Sequence, residues 1–189
     1  MNIENIMSRL KGQLKEERYL HSVNVMNVSA ELARRYNADE NKARLAGILH
    51  DCAKGMKGEE AVNFVKSIGY CPDEIELIQT GLLHGIIGAH FARTEYGVED
   101  REVLDAIRWH TTGRAGMSVL EKIIYVADYI EPLRNFEGIE MMRQAAFEDL
   151  DRCVVLCAES TIRYVLNKGF LLHGKTVETR NYSLRLLKL

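Results

Sequence analysis

Among the side chains able to do chemistry, His50 and Asp51 stand out. They follow the apolar run Leu45-Ala46-Gly47-Ile48-Leu49, with Lys54 three positions beyond Asp51. An imidazole can give a nitrogen to a metal, and a carboxylate has two oxygens, so Asp51 could bridge two ions. Read as helix, the two residues point about 100° apart and can both reach one centre. Lys54 then lies one turn on and would set a cation beside any anion held there. A His-Asp pair is common by itself. His21, His84, His110 and Asp128 give it company. Four imidazoles and two carboxylates suit one or two divalent ions, and mixed nitrogen and oxygen ligands favour iron, manganese or zinc over a thiolate-bound metal. Singly, each residue has a plainer reading. His21 reads as a hydrogen-bonded core histidine, His84 as a turn residue between glycines, and His110 as a packing partner of Trp109. Asp128 resists this, because a carboxylate inside the apolar stretch Ile123 to Ile130 needs a partner. The joint pattern is what is specific.

The elements that must hold these residues read as helices. Ile3 to Leu14 is a short amphipathic segment, and Glu16 to Tyr36 a longer one carrying Arg18 and His21. Asp39 is placed to cap the helix that delivers His50 and Asp51, and Gly55 and Gly58 are expected to end it. Glu59 to Ser67 follows, and a further helix starts at Asp73 after Pro72. Glycines around His84 allow close backbone approach at a helix junction. Gly88 to Tyr96 and Asp100 to His110 predict two more helices, the second ending on a candidate ligand. Ser118 with Glu121 three residues later is a capping-box signature for Val119 to Ile130, which carries Asp128 and stops at Pro132. Phe147 to Asn167 predicts a last long helix, apolar enough for either a core or a homodimer face, and the tail from Leu171 to Leu189 shows no clear period. Two prolines in 189 residues and no long alternating run predict an all-α chain, read as one domain over residues 1–189.

Composition narrows the function classes. A net charge of -2 gives no global attraction to nucleic acid or to an anionic membrane. The apolar runs are too short to span a bilayer. The N-terminus lacks a basic region followed by an apolar one, and Cys52, Cys71, Cys153 and Cys157 form no CxxC pair, so reduced thiols and a cytoplasmic location are expected. Cys153 and Cys157 read as packed thiols. Cys52 sits on an apolar segment and is not the expected nucleophile.

The order His21, His50-Asp51, His84, His110, Asp128 resembles the ligand order of HD-superfamily metal-dependent phosphohydrolases. Longer strings narrow the resemblance to the YqeK-type branch. They are Leu49-His50-Asp51-Cys52-Ala53-Lys54, Leu83-His84-Gly85, His110-Thr111-Thr112-Gly113-Arg114, Glu121 to Pro132 and Thr179-Arg180-Asn181. The likeness covers nearly the whole chain. It implies an HD-domain helical bundle with two iron ions in its core and symmetrical cleavage of diadenosine tetraphosphate to two ADP. It makes His21, His50, Asp51, His84, His110 and Asp128 the metal ligands, with Asp51 as the bridge. Arg18, Lys54, Arg134, Arg180 and Asn181 become contacts for phosphate or nucleoside. His90 and His173 match no ligand position.

The physical logic agrees. Two divalent ions bring four positive charges and the two aspartates remove two, leaving a cationic centre that draws a polyphosphate whatever the net charge. Lys54, Arg18 and Arg134 would offset charge on the leaving phosphate. The residues alone also admit manganese or cobalt, and two rival functions. One is an HD-type nucleotide phosphomonoesterase or phosphodiesterase. The other is a non-catalytic nucleotide sensor, against which the complete ligand set argues.

Overall fold

The computed structural model describes residues 2–188; Met1 and Leu189, the ends of the expected domain, lie outside the described residues. All regular structure among them is helical. In chain order the α-helices are α1 (Ile3–Gln13), α2 (Glu16–Arg35), α3 (Glu40–Leu49), α4 (Gly58–Ser67), α5 (Glu74–Ile78), α6 (His84–Thr94), α7 (Arg101–Trp109), α8 (Val119–Ile130), α9 (Ile139–Glu148), α10 (Leu150–Asn167) and α11 (Gly174–Leu186), with a 3-10 turn at Thr80–Leu83 before α6. Local chemistry sets most starts. Asp39 accepts the backbone N–H groups of Asn41 and Lys42, and Ser118 with Glu121 forms the expected reciprocal capping box. Asp73 and Glu76 form another.

The centre is built from α2, α3, α7 and α8, which pack on one another. Leu32, Ile48, Leu49, Ile107, Ile123 and Ile124 are fully buried there. Each such side chain contributes about 1.5–3 kcal/mol through removal from water. Two glycines set the distances between helices. A Cβ on Gly47 would stand 2.8 Å from the Cα of Met26, and one on Gly85 would stand 2.6 Å from the carbonyl oxygen of Arg108. Side chains there would push α3 off α2 and α6 off α7, and both pairs carry the histidines. A smaller apolar cluster, including Ala61, Val65, Leu83 and Ile87, seats α4 against α6.

Four elements differ from the expectations. First, α3 stops at Leu49, and the segment to Met56 continues as tight turns, with Cys52 N–H donating to Leu49 O, Lys54 N–H to Asp51 O and Met56 N–H to Ala53 O, each at 3.0 Å. Second, α6 begins at His84 rather than Gly88. Third, the long helix expected over Phe147 to Asn167 is interrupted at Asp149, whose extended backbone ends α9 and whose side chain caps α10 by accepting from Arg152 N–H. Fourth, the tail forms α11, which packs on α10. Cys153 and Cys157 are buried as expected.

Candidate metal centre

Six side chains from distant parts of the sequence converge at the middle of this packing. His21 comes from the first half of α2, His50 and Asp51 from the turn after α3, His84 from the first residue of α6, His110 from the end of α7, and Asp128 from α8. Burial is nearly complete for the four histidines and Asp51.

Hydrogen bonds fix the orientation of every ring. His21 Nδ1 lies 3.1 Å from Glu131 Oε1, His50 Nδ1 2.7 Å from Gly47 O, and His110 Nδ1 2.7 Å from Ile107 O. His84 Nδ1 is bonded to Gly81 O. All four partners are oxygens, so Nδ1 carries the proton in each neutral ring and the bare Nε2 lone pair points inward. Those lone pairs crowd together. His21 Nε2 is 3.2 Å from His50 Nε2, and His84 Nε2 is 2.9 Å from His110 Nε2. Bare nitrogens at such distances repel unless a cation lies among them.

The carboxylates complete the set. Asp51 Oδ1 lies 3.1 Å from His84 Nε2 and 3.5 Å from His110 Nε2, while Oδ2 lies 3.6 Å from His50 Nε2 and 3.8 Å from His21 Nε2. One oxygen thus faces each histidine pair. Asp51 Oδ1 is buried and makes no hydrogen bond. Asp128 Oδ1 faces His21 Nε2 at 3.1 Å and His50 Nε2 at 3.9 Å. A buried carboxylate amid four inward lone pairs suits divalent cations.

Protonation agrees. Burial pushes His50 down to about 3, against the pull of Asp51 and Asp128, so its ring is neutral near pH 7. Burial also lowers His84. The Asp51 carboxyl is held well below the usual range despite burial, and the Arg18 and Lys54 cations stand at its oxygens. Asp128 is likewise held down despite burial, with the Arg134 guanidinium against it. Burial and the neighbouring Asp51 push the Cys52 thiol up to about 12, which removes it as a nucleophile.

Three of the five expected anion contacts rim the cluster. Arg18 Nη1 reaches Asp51 Oδ2 at 2.7 Å, Lys54 Nζ reaches Asp51 Oδ1 at 3.3 Å and His84 Nε2 at 2.9 Å, and Arg134 Nη2 reaches Asp128 Oδ1 at 2.6 Å. The tight turn after α3 explains Lys54. With about three residues per turn, positions i and i+3 eclipse, so Lys54 stands over Asp51 rather than offset from it. Arg180 and Asn181 are placed elsewhere. Arg180 donates to Glu159 Oε1 from Nε at 3.0 Å and from Nη2 at 2.8 Å, and Asn181 accepts from Arg180. Neither lines the cavity beside the cluster, which measures about 510 Å³. That cavity has Lys54, His110, Asp128 and Arg134 on its polar side and Tyr125, Tyr129, Phe136 and Tyr164 on its aromatic side. His90 sits apart, its ring edge-on to Phe64.

Two functional positions escape the sequence reading. Glu131 is buried, holds His21 Nδ1 and accepts from Asn24 Nδ2 at 3.1 Å. Its signal was a position three residues after Asp128, immediately before Pro132. Thr111 Oγ1 lies 3.2 Å from both His84 Nε2 and His110 Nε2. Only its adjacence to His110 could have drawn attention to it.

Comparison with known proteins decides the family. A profile described as HD domain matches residues 18–133, a span that contains all six converging residues. The chain belongs to the HD domain family. It is 41% identical over 182 residues to a symmetrical bis(5'-nucleosyl)-tetraphosphatase of Bacillus subtilis (strain 168), covering 96% of this chain and 97% of the relative. A Staphylococcus aureus (strain NCTC 8325 / PS 47) protein of the same description is 37% identical over 186 residues, with 96% and 94% covered. Among solved structures, a predicted HD superfamily hydrolase involved in NAD metabolism from Clostridium acetobutylicum superposes with a TM-score of 0.95 at 44% identity, covering 98% of each chain. An intact cluster and these relatives make this HD domain a phosphohydrolase. No helix among the described residues is long and apolar enough to cross a membrane.

Proposed function

We propose that the chain is a metal-dependent hydrolase that cuts diadenosine tetraphosphate at its centre, giving two ADP. The observation that carries this is the Asp51 carboxylate, whose two oxygens face two separate histidine pairs. The symmetrical bis(5'-nucleosyl)-tetraphosphatase description of the Bacillus subtilis and Staphylococcus aureus relatives supports the choice of substrate. His21, His50 and Asp128 with Asp51 Oδ2 would hold one ion, and His84 and His110 with Asp51 Oδ1 a second; iron is the metal proposed. Such ions, when bound, supply Lewis acidity and bring the pKa of a water from about 15.7 towards about 7.

The chain's own residues do the rest. Glu131 and three backbone carbonyls hold the imidazoles in the tautomer that presents Nε2. Arg18, Lys54 and Arg134 stand at the rim with more than a third of each side chain in solvent, so they can turn from the carboxylates to phosphate oxygens. Their charge offsets the negative charge that grows on the departing diphosphate. The aromatic side of the cavity gives a nucleoside a surface to stack on.

The test is a product analysis. The purified chain, loaded anaerobically with ferrous iron, is incubated with diadenosine tetraphosphate and the nucleotides are resolved by anion exchange. ADP as the sole product is expected. ATP with AMP would move the attack to another phosphorus. No turnover with metal bound would leave a binding protein and overturn the reading.

A further inference from the structure

A second cavity, of about 250 Å³, shares a wall with the first. The common residues are Thr111, Thr161 and Tyr164. Thr111 carries this wall to the cluster, since its hydroxyl is 3.2 Å from the Nε2 atoms of His84 and His110. The second cavity has a different lining. Leu82, Val165, Phe170 and Leu172 make it apolar, Gln79, Thr112 and Thr176 add neutral polar groups, and His173, whose Nε2 is turned to Asp73, is its one imidazole, with no carboxylate, lysine or arginine in the lining. Such a pocket suits an uncharged aromatic heterocycle rather than a phosphate. Its mouth carries the exposed rings of Tyr164 and Phe170.

We propose that this second cavity receives the second nucleoside of a dinucleoside polyphosphate, while the first receives the nucleoside on the other side of the metal centre. The inference rests on the function proposed above and specifies how its substrate is read. A substrate with a nucleoside at each end needs two base-sized recesses, one on either side of the atoms that react. Here His110 and Asp128 of the cluster line the first recess, and Thr111, whose hydroxyl reaches the cluster, is shared with the second. The cationic rim of Lys54 and Arg134 belongs to the first cavity alone, so the polyphosphate crosses the Thr111 wall between them. Nucleosides anchored on both sides hold the central anhydride over the cluster, which gives the cut its symmetry. A mononucleotide fills one recess only, and the second therefore selects dinucleotides.

Phe170 and Val165 separate the two recesses experimentally. Both line only the second cavity, and neither is fully buried. Phe170→Ala removes a stacking surface, and Val165→Trp fills the recess. The iron-loaded full chain is assayed for the KM of diadenosine tetraphosphate and for competitive inhibition by adenosine 5'-tetraphosphate, which has a single nucleoside. Loss of one base–aromatic contact corresponds to about a tenfold change in affinity. The expected result is a KM raised about tenfold in each variant, with the inhibition constant of the mononucleotide within about twofold of the parent value. Equal changes in the two constants, or no change in either, would overturn the second recess and leave the hydrolase reading standing. Absence of turnover in the parent chain would overturn the hydrolase reading and this proposal together.

Discussion

The chain holds two kinds of histidine–carboxylate cluster, and they use the imidazole in opposite ways. At the centre, four rings donate through Nδ1 and turn bare Nε2 atoms on Asp51 and Asp128. At the start of α11, His173 is also buried and its Nε2 lies 3.0 Å from Asp73 Oδ2, with Glu76 close by. There Nδ1 is the acceptor, taking the backbone N–H of Lys175 at 3.1 Å. The proton must then reside on Nε2, where it faces a carboxylate. Glu76 is also engaged, by Tyr70 and by the N–H of Asp73. The same residue types thus build a ligand cage in one place and a helix cap in the other. What separates them is what the backbone offers Nδ1: a carbonyl oxygen to His50, His84 and His110, and an N–H to His173.

Substitutions can break this contrast. The largest effect is expected from Asp51→Ala, which removes the atoms that face both histidine pairs. Metal content by elemental analysis and turnover should both be lost, with the far-ultraviolet helical signal largely kept. Full activity in that variant would refute the cage. Glu131→Gln should come next, because it weakens the group that orients His21. Loss of such a partner typically costs about 10–100-fold in metal affinity or activity, read by titration against a chelator. Lys54→Ala should lower turnover by about tenfold, in line with the loss of one charge that stabilises the transition state, and leave metal content unchanged. Loss of metal there would make Lys54 a structural partner of Asp51. The smallest effect belongs to His173→Ala. Metal content should stay at the parent level, while stability in urea falls by about 1 kcal/mol, the usual worth of a helix cap. A drop in bound metal in His173→Ala would erase the distinction between the clusters.

The converging residues were legible as a joint pattern, most plainly where a titratable group interrupts an apolar or glycine-flanked run, as at His50-Asp51, His84 and Asp128. Asp128 among isoleucines is the clearest instance. Ser118 and Glu121 announced their helix through a spacing that has one purpose. Other features were hidden for physical reasons. α11 buries Thr176, Thr179 and Ser183 rather than an aliphatic stripe, so no hydrophobic period marked it. Thr179 explains how such a face packs, since its hydroxyl serves Thr112 O at 3.1 Å and Lys175 O at 2.8 Å. The break at Asp149 was masked by apolar residues on both sides. Glu131 looked like an ordinary charge after a helix, because its partner His21 lies on α2, far away along the chain. Arg180 carries the cation expected near phosphate, yet Glu159 on α10 holds it.

The donors that meet at Asp51 are drawn from five helices or their ends, beginning with α2 and finishing with α8. Any ion seated among them binds the folded chain and not the unfolded one, so it stabilises by mass action, with a strength set by its free concentration against its dissociation constant. The ion also has nowhere to bind before α2, α3, α6, α7 and α8 have assembled. Occupancy by a divalent ion would therefore be a readout of the finished fold, and free metal above its dissociation constant would raise the folded fraction.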